Sequence, residues 1–167
     1  MRVSMFPTSI NLRVLKLYGL HFGYWDQPLV FMQLLQKCPN LCELQIMADE
    51  YDNELNDAAS RCLKGRNGCL FIQELQMLNK VKIEAFSDQS ALEMLFMKTL
   101  LLKSPALERV VIVKSCSINA SEVRKIQRKL QCFPRASPKA QIVCAGNYYA
   151  GMNEDWMDTH GVRLLET

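Results

Sequence analysis

Apolar residues recur along this chain in two alternating rhythms. The pattern LxxLxL, with aliphatic residues at positions 1, 4 and 6, occurs at Leu12, Leu15, Leu17 and at Leu41, Leu44, Ile46. It returns at Leu78, Val81, Ile83 and at Leu107, Val110, Ile112. Alternation of this kind is the period of a strand with one buried face. The first two copies start 29 residues apart, and so do the last two. Between the pairs, Leu41 to Leu78 spans 37 residues, which is one period plus eight. Three matched positions at one spacing, found twice, point to a repeat rather than to abundant leucine.

Inside each period the apolar spacing becomes helical. Val30, Phe31, Leu34 and Leu35 predict a helix over about 28–37, with Pro28 in its first turn and Pro39 past its end. A central helix is predicted from Ser87 and Asp88 to just before Pro105. Its inward stripe is Ala91, Leu92, Leu95, Phe96, Thr99, Leu100 and Leu102. Asn119 and Glu122 have the spacing of a capping box and predict a helix over about 120–131. There Val123, Ile126 and Leu130 face inward, and Arg124, Lys125, Arg128 and Lys129 face out. Ala140, Ile142 and Cys144 alternate as a last short strand, with Ser137 at its first repeat position.

Strand, helix, strand at a fixed period predicts an α/β leucine-rich-repeat solenoid. In it a parallel strand ladder carries helices on its outer side, here with irregular repeats. One unit cannot hide its apolar face alone, so units stack. The expected organisation is partial repeats over 1–77, further repeats over 78–144, and a mobile tail over 145–167. The polar stretch 48–71 is the irregular insertion, with a short helix expected over about 53–63. The start of the chain is too short and too apolar to cap Leu12 and Leu15. An exposed edge at Met5, Phe6 and Ile10, and self-association, are therefore expected.

Composition narrows the function classes. The 167 residues suffice for one domain with a real core, and a net charge of +3 is too mild to imply nucleic acid. No apolar run reaches the roughly 20 residues of a membrane helix, and no secretory signal opens the chain. A cytoplasmic or nuclear setting without membrane partners is expected. The seven cysteines are odd in number and include no CxxC pair, so neither a disulfide framework nor a zinc site is suggested. They are expected to fill the core; the alternative is a thiol-based redox protein or enzyme. His21 stands beside Phe22, Tyr24 and Trp25, where packing at a repeat edge is expected rather than base catalysis. His160 lies near the chain end, and neither histidine has a nucleophile and acid in a recognised order. No catalytic set, metal site or cofactor is expected.

The order KVKIEAF, ALEMLFMKTLLLKSPALERVVI, SEVRKIQRKLQCFPRASPKAQIV resembles the FBD module of plant F-box/LRR proteins over Val81 to Cys144, 64 residues. LRVLKLYGLHF and LLQKCPNLCELQI are similar to the leucine-rich repeats that precede it in that family. The resemblance implies the substrate-recognition part of a cullin-based (SCF) ubiquitin ligase. In such proteins an F-box docks on the Skp adaptor, and the repeats receive a protein substrate. Nothing in this sequence resembles an F-box, and it begins within a repeat, so adaptor docking is not expected of it. Position 9 carries Leu20, Asp49, Phe86 and Ser115 in place of the frequent asparagine, which suits irregular F-box-type repeats.

In such a ladder the residues between the leucines line the concave strand face. Position 3 is expected to hold Val14, Glu43, Lys80, Arg109 and Lys139, and position 5 Lys16, Gln45, Lys82, Val111 and Gln141. Position 7 holds Tyr18, Met47, Glu84, Val113 and Val143. The candidate partner-binding residues are Lys16, Tyr18, Met47, Lys80, Lys82, Arg109 and Lys139, as a basic surface for an acidic peptide or protein. The competing reading is an ordinary solvated face, since single surface charges contribute little.

Overall fold

The computed structural model describes residues 11–22, 26–49, 73–88, 91–115 and 118–145. It contains β1 (Val14–Leu20), α1 (Asp26–Gln36), β2 (Glu43–Ala48), β3 (Lys80–Phe86), α2 (Ala91–Lys103), β4 (Arg109–Lys114), α3 (Ala120–Cys132) and β5 (Gln141–Ala145). The five strands form one sheet in chain order, and every adjacent pair is parallel. The expected insertion at 48–71 beyond Asp49, its helix over 53–63, the apolar edge at Met5, Phe6 and Ile10, and the expected tail at 145–167 beyond Ala145, which ends β5, all lie outside the described residues.

The register follows the repeat. Leu15, Leu44, Val81, Val110 and Ile142 are successive neighbours across the strands. So are Leu17, Ile46, Ile83, Ile112 and Cys144. The strand starts also repeat. The Arg13 carbonyl accepts from Cys42 N–H and Glu43 N–H at 2.8 and 3.0 Å, and the Asn79 carbonyl accepts from Glu108 N–H and Arg109 N–H at 2.8 and 3.1 Å. Ahead of three strands, the first leucine closes a tight turn: Leu41 N–H donates to Cys38 O, Leu78 N–H to Leu75 O, and Leu107 N–H to Ser104 O. Asn40 Nδ2 donates to Asn11 Oδ1 at 3.0 Å, one period back along the chain.

The inward strand residues share one core with the helices. Leu44, Ile46, Ile83, Val110 and Ile112 are buried together with Leu35, Phe96, Leu100 and Leu130. Phe22 meets Phe96 edge-on at a centroid distance of 5.5 Å, while Tyr24 and Trp25, expected beside His21, lie outside the described residues. Burying a side chain of this size stabilises by roughly 1.5–3 kcal/mol. The cap of α3 forms as its spacing predicts: Asn119 Oδ1 accepts from Ser121 N–H and Glu122 N–H, and Glu122 turns back to Asn119 N–H.

Three expectations need correction. The central helix does not start at Ser87 but at Ala91, and its face is turned. Its buried residues are Leu92, Glu93, Phe96, Met97, Thr99, Leu100 and Leu101, whereas Ala91 is exposed and Leu95 and Leu102 are half-buried. At 3.6 residues per turn, this is a rotation of roughly a quarter turn. Apolar residues surround this helix, so its own periodicity does not select a face. The last strand sits two residues further along than expected, with Gln141 and not Lys139 opposite Arg109. Ala140 N–H donates to Ser137 O in the turn before it. A slip of two keeps every inward residue inward, so alternation could not reveal it. Core filling by cysteine holds for Cys38, while Cys42 and Cys144 are half-buried and Cys132 is exposed; Cys62, Cys69 and Cys116 lie outside the described residues.

Two strands carry an extra residue where register slips, between Tyr18 and Leu20 and between Ile83 and Phe86. In each, the residue at position 8 adopts left-handed backbone, Gly19 at φ 72° and Ala85 at φ 59°. The bulge turns Leu20 and Phe86 into the core. Glycine meets that requirement without strain, whereas alanine does not.

Candidate functional site

The face of the sheet away from the helix core carries positions 3, 5 and 7. Its position-3 row runs Val14, Glu43, Lys80, Arg109, Gln141. The position-5 row runs Lys16, Gln45, Lys82, Val111, Val143. Tyr18, Met47 and Glu84 are neighbours at position 7. Most of the expected site residues are thus brought onto one surface, with neighbouring strands about 4.8 Å apart. Lys139 is the exception; it stands exposed in the turn before β5, outside these rows.

Charge on this face is largely neutralised. Lys80 Nζ lies 3.1 Å from Glu43 Oε1 on the neighbouring strand. Lys82 is 2% exposed and its ammonium pairs with Glu84 Oε1, itself on a residue 4% exposed. Lys82 is therefore not the accessible cation that the sequence suggested. Val111, opposite Lys82 on β4, is buried too, as is Val113. The accessible part of the face lies at Tyr18, half exposed, at the half-buried Lys16, Gln45 and Met47, and at the exposed Arg109, Gln141 and Val143. Attention to cations alone missed the partners. The signal for Glu84 was present, since residues i and i+2 of a strand share a face. Glu43 becomes a partner of Lys80 only through the sheet register.

A second arrangement was not anticipated. Glu93, in the first turn of α2, is buried, with Oε1 accepting from Ser87 N–H and Oε2 from Ser87 Oγ–H, both at 3.2 Å. Burial pushes its carboxyl up to about 7; hydrogen bonds from Ser87 oppose the rise, and the nearby Asp88 charge adds to it. Asp88 has left-handed backbone at φ 56° and pairs with Lys129 Nζ at 2.5 Å, tying the β3–α2 loop to α3.

Burial also raises the Cys38 and Cys144 thiols, which keeps them protonated and lowers their nucleophilic fraction. His21 N–H donates to Gln27 Oε1 at 3.0 Å. Among the described residues, no group of three His, Cys, Asp or Glu side chains could hold a metal ion. Nor is any described helix long and apolar enough to cross a membrane.

No family model, no curated protein and no solved structure matches this chain.

Proposed function

We propose that this chain is a leucine-rich-repeat solenoid that works as a non-enzymatic protein-interaction module, the substrate-recognition part of an F-box protein in a cullin-based ubiquitin ligase. The observation that carries the interaction reading is the ladder. Five parallel strands in chain order set equivalent side chains in rows on one surface, the layout by which repeat proteins present extended binding faces. The ligase reading rests on the similarity of Val81–Cys144 to the FBD module and of the preceding segments to its repeats.

The partner is a protein substrate, received at Tyr18, Met47, Lys16, Lys80 and Arg109. Tyrosine and arginine are enriched among the few side chains that carry most of the energy in protein interfaces, which makes the half-exposed Tyr18 and the exposed Arg109 the anchors. Lys82 supports the face from beneath rather than touching a partner. The Skp adaptor and cullin belong to this reading only through an F-box, which this sequence does not display.

The test is capture by the wild-type chain and by a Tyr18→Ala/Arg109→Glu double variant, followed by blockade of cullin activity in cells. Proteins held by the wild type are expected to be released by the variant and to accumulate when cullins are blocked. An identical captured set from both chains refutes the face. Captured proteins whose levels ignore cullin blockade refute the ligase assignment.

A further inference from the structure

The positive charge of this chain is concentrated at one end of the sheet. Residues 118–145 hold Arg124, Lys125, Arg128, Lys129, Arg135 and Lys139 against Glu122 alone, a balance of +5 where the whole chain carries +3. The remainder is therefore −2. Within that end, three cations have other tasks or places. Lys129 is paired with Asp88, Arg135 Nη1 donates to Ala140 O at 2.8 Å, and Lys139 stands in the turn before β5. Glu122, the one acid of α3, is bound to the Asn119 N–H at 2.8 Å by the capping box and neutralises nothing further along the helix.

Arg124, Lys125 and Arg128 remain, all exposed on the outer side of α3, with no acidic partner among the described residues; Arg124 Nε donates at 3.4 Å to the Ala120 carbonyl of its own helix, which leaves its charge unneutralised. Their spacings of three and four make them one contiguous patch. Like charges four residues apart repel, so local helix stability disfavours this arrangement. The core does not require it either, since α3 is held by Ile126 and Leu130 on its other side. This contrasts with the sheet face, where Lys80 and Lys82 are already matched by Glu43 and Glu84.

We propose that the outer face of α3 is a second docking surface, which takes an acidic segment of a partner protein through Arg124, Lys125 and Arg128. The charge pattern favours that occupant. Two guanidinium groups and an ammonium suit carboxylates, which arginine binds in bidentate fashion. The exposed positions of α3 offer no aromatic ring on which a base could stack and, beyond the small Ala120 and Cys132 at its two ends, no apolar side chain to enter a lipid surface. Three phosphate contacts are also few beside the six to ten or so of strong nucleic-acid binders. This surface is separate from the sheet face and does not depend on the ligase reading.

The experiment titrates the full chain with a fluorescein-labelled peptide of alternating glutamate and serine, and separately with duplex DNA and duplex RNA. The variants are Arg124→Gln/Lys125→Gln/Arg128→Gln, the corresponding triple change to glutamate, and Arg109→Glu on the sheet face. Circular dichroism checks folding; the exposed positions and the neutral triple variant guard against trivial loss. The peptide is expected to bind at low salt, to weaken as salt rises, and to bind the neutral variant at least tenfold less tightly, about 1.4 kcal/mol. The glutamate variant is expected to show no binding, and Arg109→Glu to bind as the wild type does. Equal peptide affinity in wild type and triple variants overturns the proposal, as does loss confined to Arg109→Glu. Duplex nucleic acid bound more tightly than the peptide, through the same three residues, overturns it in favour of a phosphate-polymer partner.

Discussion

Replacing Glu93 by glutamine is expected to remove a pH-dependent instability. The carboxyl is buried and its pKa is raised from the ordinary 4.5 to about 7, chiefly by burial. Between these two values the folded chain holds a proton that the unfolded chain has released. Stability therefore falls as pH rises through this window and levels off above about 7. At about 1.4 kcal/mol per pH unit, the gap corresponds to about 3 kcal/mol at alkaline pH. Glutamine keeps the size and an acceptor oxygen for Ser87 N–H, while its amide can donate to Ser87 Oγ. Urea unfolding of both proteins from below pH 4.5 to above pH 7 measures the effect. Other ionisable groups are common to both chains, so the difference between them isolates Glu93. The two are expected to have similar stability at the acid end, with Glu93→Gln ahead by about 3 kcal/mol at the alkaline end. Parallel stability curves across the whole range would refute the reasoning.

Two further outcomes follow from the sheet. Lys82→Met leaves the buried Glu84 carboxylate without its ammonium and is expected to cost about 3–5 kcal/mol in chemical unfolding, most of it regained in Lys82→Met/Glu84→Leu. An equally unstable double variant would show that the charge pair is not the cause. Ala85→Gly relieves left-handed backbone at the β3 bulge and is expected to raise stability by up to about 1 kcal/mol, read as a higher urea midpoint; a lower midpoint would contradict this.

Local pattern alone sufficed for the ladder. The LxxLxL copies and their spacing place β1 to β4 and their inward residues, because alternation and period are properties of a short stretch of chain. The α3 boundary was equally legible, since Asn119 and Glu122 satisfy the first-turn N–H groups without help from elsewhere. What stayed hidden depended on contacts between distant segments. The setting of β5 was ambiguous because a two-residue slip exchanges none of its faces. The orientation of α2 was ambiguous because apolar side chains surround it, and only the neighbouring strands and helices choose which of them to bury. Charge on the sheet face was decided by pairing across a parallel register and by burial within β3. Lys80 meets a Glu43 that stands 37 residues away in the chain, and Lys82 is enclosed with Glu84 where a row of outward side chains was expected. The sequence by itself thus determined which residues form strands and which side of each points inward. The tertiary structure alone decided which outward charges remain accessible, because neutralisation and burial depend on what packs alongside.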